Sequence, residues 1–242
     1  MKLGKRLRAI EQQIPDEFDH IWDCCCDHGL LGMALLKRQI KATVHFVDIV
    51  DCLINELNLT LAQYFLNNHS VTSINQRSGL WQTHCFDVAS IDLKSSSMQS
   101  QKHLFILAGV GGDKINTFVT QLLTNNPQSE LSFLLCPVHH NYKVRNHLQT
   151  LPLGLENELL IEENKRFYEI ILVSTQSREK VELVGNKMWQ LQLGTHQQYL
   201  DNTLTYLTNK LKNKNHPDFN LYRQAHVEYR QLQQLAKSCL TK

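Results

Sequence analysis

His20-Ile-Trp-Asp-Cys-Cys-Cys-Asp-His-Gly29, then a helical stretch, then Thr43-Val-His-Phe-Val-Asp-Ile49: these residues decide how the chain folds. Residues 20–25 form a short strand-like run, Asp27-His28-Gly29 is a turn, and 30–38 reads as a helix. Residues 43–49 are β-branched and apolar, which makes them a second strand ending near Asp48. Strand, turn, helix and strand in this order form a βαβ unit. Its crossover is right-handed and makes the two strands parallel neighbours.

The alternation extends in both directions. Leu3, Leu7 and Ile10 share a helical stripe over residues 3–13, closed by Pro15. Downstream, 53–66 reads as a helix, 81–88 as a strand and 94–101 as a polar loop. Residues 103–108 are a continuous apolar strand, which predicts burial on both faces. A helix over 115–123, a strand over 131–136, a helix over 141–148 and a strand over 167–173 complete the series. The expectation is an α/β domain over residues 1–185, doubly wound around a mostly parallel sheet.

After Gly185 the pattern changes. Tyr199, Leu200, Leu204, Leu207 and Leu211 form one helical stripe. His216-Pro217 interrupts, and Phe219, Tyr222, Tyr229, Leu232 and Leu235 form a second. This predicts a second domain, residues 186–242, built as an antiparallel helical hairpin or short coiled coil whose stripes serve as core.

Composition narrows the class. Of 242 residues, 42% are hydrophobic and 20% charged, enough apolar matter to exclude global disorder. Apolar runs such as 104–110 fall far short of the roughly 20 residues of a membrane helix. No apolar signal region follows the basic start. Seven irregularly spaced cysteines, three of them adjacent, read as reduced thiols of a cytoplasmic protein rather than a disulfide framework. From Asn186 onward eight Lys/Arg face three acids, so a basic tail follows a mildly acidic body. Lys2, Lys5, Arg6 and Arg8 crowd the start. Such ends suit a phosphate-bearing partner as well as they suit a solvated helix surface.

In an open α/β sheet the ligand lies at the carboxyl ends of the strands. Three segments converge there: the loop 23–29, Asp48 about 20 residues on, and Asp87 after the third strand. Asp48 is placed to accept the hydroxyls of a ribose, and Asp87 to accept the exocyclic amine of adenine. Each Asp alone also suits a helix cap or a turn. No phosphate-loop motif occurs, and the first loop lacks the glycine fingerprint of dinucleotide binders. A methyl donor without a pyrophosphate needs neither. Cys24, Cys25, Cys26 and His28 lack a second ligand pair at metal spacing, so no metal is expected.

The order Gly4-Lys5-Arg6-Leu7, Asp23-x-x-x-Asp27-His28, Ala108-Gly109-Val110-Gly111-Gly112, Cys136-Pro137, Arg145-x-x-Leu148 and Phe167-Tyr168-Glu169-Ile170 resembles the TrmK family. These are bacterial tRNA (adenine-22, N1)-methyltransferases. The resemblance spans residues 3–173 and extends to the helical tail. It implies a Rossmann-like class I domain, S-adenosylmethionine as cofactor and tRNA as partner. It implies cofactor contacts from Asp23, Cys25, Asp48, Asp87, Ala108, Gly109 and Gly111, and catalytic roles for Asp27 and His28. Lys5, Arg6, Arg8, Arg145, Lys210, Lys212 and Lys214 become the expected RNA contacts. The chain departs from the family pattern in places: Cys25 replaces a loop glycine, Leu30 an aromatic, and Asp48 the usual Glu. Transfer to a small molecule or protein, and non-catalytic RNA binding on the same scaffold, remain open alternatives at this point.

Overall fold

The computed structural model describes residues 3–66, 80–94 and 96–240. Helix α1 (Lys5–Gln12) leads into β1 (His20–Cys24), α2 (Leu30–Lys37), β2 (Thr43–Asp48) and α3 (Asp51–Leu61), which ends in a π-helical turn at Ala62–Leu66. Then come β3 (Trp81–Cys85), the short α4 (Ser96–Gln99), β4 (Lys102–Ala108), α5 (Gly112–Asn125), β5 (Glu130–Cys136) and α6 (Asn141–Leu148). The hairpin β6 (Gly154–Glu163) and β7 (Arg166–Ser174) closes the sheet, and α7 (Gly194–Lys210) and α8 (Phe219–Leu240) follow. Lys2 and Lys242 lie outside the described residues, as does Ser95 of the predicted polar loop.

The seven strands lie in the order β3-β2-β1-β4-β5-β7-β6. Pairs among the first five are parallel; β7 runs antiparallel to both β5 and β6. The chain winds outward from β1 to β3, then returns to place β4 on the other side of β1. That reversal opens a crevice above the carboxyl ends of β1 and β4. The alternation of side chains along each strand builds two cores. Ile21, Val44, Phe46, Leu104 and Ile106 pack under α1, α2 and α3, while Phe105, Leu107, Phe133 and Leu135 meet Ile115, Val119 and Leu122 of α5. Each such side chain, fully buried, stabilises the fold by about 1.5–3 kcal/mol.

On the second face the core includes a run of imidazoles. His20 Nε2 faces Gln101 Oε1 at 2.8 Å, His20 Nδ1 meets His45 Nε2 at 2.8 Å, and His45 Nδ1 meets His84 Nε2 at 3.0 Å. With the Gln101 oxygen accepting, each of the three rings donates through Nε2, and His20 and His45 accept through Nδ1. Trp22 stacks on His45 at 3.9 Å and donates its indole N–H to His103. Burial, reinforced by the neighbouring imidazoles, lowers His45 to about 3; burial lowers His103 to about 4.

The tail forms the expected hairpin. Thr208 meets His226 and Gln233 donates to Asp201, an antiparallel register. Leu200, Leu204 and Leu207 pack on Tyr222, Ala225 and Tyr229, and Tyr142 of α6 joins them. Leu235 is 63% exposed, so the second stripe loses its core role near its end. The hairpin is bound to the sheet: Tyr199 donates to Glu169 Oε1 at 2.5 Å and accepts from Asn141.

Three elements differ from the sequence expectation, the first being the short helix α4 within the expected polar loop 94–101. Strand β6 is absent from it, because Glu156, Glu158, Glu162 and Glu163 mask the apolar alternation of an edge strand. Strand β3 stops at Cys85 instead of 88, since Asp87 caps a 3-10 turn over Val88–Ser90 through Ala89 N–H.

Candidate active site

Three strand ends meet at the crevice. The loop after β1 is held in left-handed backbone at Cys25 (φ 54°), Asp27 (φ 51°) and Gly29 (φ 64°). A Cβ at Gly29 would stand 2.7 Å from Leu57, so glycine is required there on both counts. Cys25 adopts a torsion that glycine takes freely, at a cost of about 1 kcal/mol. Asp48 explains why the loop stays in place: its Oδ2 accepts from Asp27 N–H at 3.1 Å and its Oδ1 from Val50 N–H at 3.1 Å. The carboxylate is 9% exposed and faces the crevice from the end of β2.

Asp23 lies deeper. Its Oδ2 accepts from Gly32 N–H at 2.9 Å, which ties β1 to α2. Burial raises its carboxyl to about 7, against the stabilising Gly32 hydrogen bond and with a further push from Asp48. The three adjacent thiols follow the same logic. Burial and the nearby carboxylate of Asp48 push Cys25 up to about 11, Lys114 opposing; Cys24 and Cys26 are raised further still.

Asp27 and His28 stand exposed at the rim, His28 Nε2 3.6 Å from Asp27 Oδ1. Asp87 is exposed too; one oxygen caps the Val88–Ser90 turn. Ala108 ends β4, and Gly109 follows with φ 87°, its N–H donating to Cys136 O. A Cβ on Gly111 would come within 2.6 Å of the His139 ring, and one on Gly112 within 2.8 Å of Val144. Asp23, Cys25, Asp48, Asp87, Ala108, Gly109 and Gly111 thus all occupy the ends of β1, β2, β3 and β4.

The expected RNA contacts divide. Lys5, Arg8, Lys212 and Lys214 are exposed, while Lys210 is half-buried over the Tyr206 ring. Arg6 is half-buried with its guanidinium 4.9 Å from the centroid of Tyr168. Arg145 is a correction. It is 0% exposed, its Nε 2.6 Å from Glu169 and its Nη1 2.7 Å from Glu158, so no phosphate reaches it. Burial works against its charge, and the two carboxylates outweigh that and hold it protonated. Burial likewise works against Glu158, yet Arg145 and two backbone N–H groups lower its carboxyl.

Sequence reading also passes over a groove of about 640 Å³ between the sheet and the hairpin. His139, Lys143, Arg166, Tyr168, Tyr206 and Tyr222 line it. It adjoins the crevice through His139, whose ring covers Gly111. Its sequence signals are the aromatic stripe of the tail, read as core by default with base-stacking the less favoured use, and the Phe-Tyr pair of β7, read as part of a strand. Among the described residues no group of His, Cys, Asp or Glu side chains is placed to hold a metal ion, and no helix is long and apolar enough to cross a membrane.

Residues 3–171 match the family described as a methyltransferase domain. No curated protein matches the sequence. Among solved structures, TrmK of M. capricolum in complex with S-adenosyl-homocysteine superposes with a TM-score of 0.69 at 16% identity, covering 96% of this chain and 98% of that one. The B. subtilis m1A22 tRNA methyltransferase TrmK gives 0.64 at 19% identity, covering 98% of each chain. A Streptococcus agalactiae protein of the NADB-Rossmann superfamily gives 0.68 at 15% identity, covering 96% and 97%. These likenesses establish a shared fold along nearly the whole chain.

Proposed function

We infer a specific activity for this chain, which belongs to the methyltransferase-domain family: transfer of a methyl group from S-adenosylmethionine to N1 of an adenine in tRNA. The observation that carries this reading is the continuity of two sites. A crevice with carboxylates at the ends of β1, β2 and β3 adjoins, through His139, a groove of aromatic rings and cations.

The crevice fits the donor. Asp48 keeps lone pairs on both oxygens beyond the two backbone N–H groups it accepts, enough for two ribose hydroxyls. Asp87 uses one oxygen as a cap and keeps the other for an adenine amine. Among the described residues outside its chain neighbours, a Cβ on Gly109 would meet only Arg6 within 4 Å, so the backbone there leaves space for a ligand. When bound, the donor supplies an electrophilic sulfonium methyl; the N1–CH3 bond forms as the C–S bond breaks, and adenine becomes cationic.

The chain's own part is positioning and charge. Asp27, at the rim, would sit near the developing cation or accept the N6 proton, with His28 beside it. Tyr168 and Tyr206 offer faces on which an unpaired base stacks, and Lys143 and Arg166 offer phosphate contacts. A buried adenine would have to leave its helix to enter. Residues 1–185 would form the catalytic domain and 186–242 an RNA-holding hairpin. Such an activity belongs in the cytoplasm, where tRNA is found. The relatives named above as m1A22 methyltransferases point to position 22.

The test is methyl transfer from labelled S-adenosylmethionine to tRNA from a strain lacking this gene, with the product digested to nucleosides. The expected product is N1-methyladenosine. Label in a small molecule or protein instead, with tRNA unlabelled, would reject the substrate and keep the donor. Asp48→Ala should weaken donor binding on the order of 10- to 100-fold through lost charge-assisted hydrogen bonds.

A further inference from the structure

His139 stands on the border between the donor crevice and the aromatic groove. It follows β5, in the loop Pro137-Val138-His139-His140, and it lines the groove. Its other side meets the loop after β4: a Cβ on Gly111 would come within 2.6 Å of the ring carbon Cε1 and 2.9 Å of Nε2. Glycine at 111 therefore lets the imidazole lie against the backbone there.

The two loops and a second ring fix that place. Backbone hydrogen bonds join the loops, from Gly109 N–H to Cys136 O at 3.2 Å, Val138 N–H to Val110 O at 3.1 Å and Gly112 N–H to His139 O at 3.2 Å. His140 meets the His139 ring edge-on, the centroids 4.3 Å apart at 66°. His140 is itself held, its Nδ1 3.1 Å from Asp113 Oδ2, in left-handed backbone at φ 66°. A non-glycine residue keeps that torsion only where its surroundings enforce it. Yet the His139 ring makes no hydrogen bond of its own: among the described residues neither of its nitrogens has a partner, and the residue is exposed. A neutral imidazole so placed offers one lone pair as an acceptor.

Methyl transfer needs the attacking N1 within about 3–3.5 Å of the methyl carbon, so the adenine edge that carries N1 must come to this border. On that edge N1 lies between C2–H and the exocyclic N6 amine, and the amine is the hydrogen-bond donor. As N1 takes the methyl, positive charge spreads to N6, and a hydrogen bond from that amine strengthens in the transition state.

We propose that His139 accepts a hydrogen bond from the N6 amine of the target adenine, and so orients N1 toward the methyl group. This rests on the tRNA-adenine reading above. It leaves Asp27 the first of its two roles, charge near the developing cation.

The test measures single-turnover methylation by the full chain of two tRNA transcripts. One carries adenine at the methylated position; the other carries purine, which keeps N1 and lacks the 6-amino group. His139→Phe keeps a ring over Gly111 and removes the acceptor. It should slow the adenine tRNA on the order of 30-fold, with tRNA affinity within about threefold, and slow the purine tRNA by less than about threefold. His139→Gln, whose amide oxygen accepts, should recover most of the adenine rate. S-adenosylhomocysteine affinity, by titration calorimetry, should stay within about threefold in both variants, which keeps folding and donor binding out of the result. Equal slowing of both tRNAs would make His139 a packing residue and overturn the proposal. Weaker tRNA binding at an unchanged single-turnover rate would hand His139 to an RNA phosphate and also overturn it. If the wild-type chain bound S-adenosylhomocysteine and methylated no tRNA adenine, the tRNA reading itself would fall.

Discussion

Two buried polar clusters lie on one face of the sheet, toward its opposite edges, and they are kept buried by opposite means. His20, His45 and His84 pass a hydrogen bond along from ring to ring, and burial there keeps His45 and His103 neutral. Arg145 stays charged between the carboxylates of Glu158 and Glu169, 2.6–2.7 Å from it. The first cluster joins β1, β2, β3 and β4 on one face of the sheet. The second joins α6, β6 and β7, and through Tyr199 it ties on the hairpin. Burial penalises charge equally in both places. What differs is whether an opposite charge is within reach, and that decides which protonation state survives.

The sharpest way to break the contrast is to remove one charge. Arg145→Met leaves two carboxylates buried without a cation, and stability should fall by about 3–5 kcal/mol. Urea midpoints with an unchanged slope would measure it, and faster cleavage by protease within residues 175–193 would show the hairpin loosening. A loss below 1 kcal/mol would mean that water reaches the cluster.

The next effect is set by pH. Below pH 6.5 the unfolded chain takes up protons that folded His45 and His103, with values of about 3 and about 4, refuse. Stability contributed by these rings is therefore lost as pH falls from 6.5, about 2 kcal/mol for each by pH 5. Asp23 acts in the other direction. Raised to about 7, it holds a proton in the fold that the unfolded chain has released, and it returns about 2 kcal/mol over the same interval. The net loss from pH 7 to 5 should be about 2 kcal/mol. Glu158 is lowered instead, so its contribution goes only below its ordinary value of 4.5. His45→Phe should flatten the upper window and Glu158→Gln should not. Identical slopes in both variants, by thermal unfolding across pH, would show the clusters to be alike after all.

Tyr199→Phe is the mildest probe. It removes one donor from Glu169 and leaves Arg145 in place, at a cost of about 1–2 kcal/mol. Combined with Arg145→Met it should cost less than the sum, because both changes act on one carboxylate.

Much of this was legible in sequence because local patterns carried it. The alternating strands, the strand-end acids Asp23, Asp48 and Asp87, and the tail's stripes each lie within a few residues of what defines them. Arg145 was misread because its partners sit 13 and 24 residues away in strands whose glutamates look solvated. Strand β6 was missed for the same reason: Glu158 points inward only because Arg145 is waiting there. The groove joins residues from His139 to Tyr222, and no local period announces a surface assembled over that distance. Cys25 is the converse case. Its sequence marks the loss of a glycine, and the fold retains the glycine-like torsion regardless, since Asp48 secures the next turn.

The thiols of the first loop have a consequence for the life of the enzyme. A sulfonium methyl group alkylates sulfur more readily than nitrogen when the sulfur is a thiolate. Three cysteines border the crevice proposed to hold such a group, an arrangement that invites the protein to methylate itself. With Cys25 pushed up to about 11, roughly one molecule in ten thousand carries the reactive anion at neutral pH, and its two neighbours carry less. Burial and the carboxylate of Asp48 thus guard the pocket against its own reagent. The acid proposed to grip the donor also keeps the thiol of Cys25 silent.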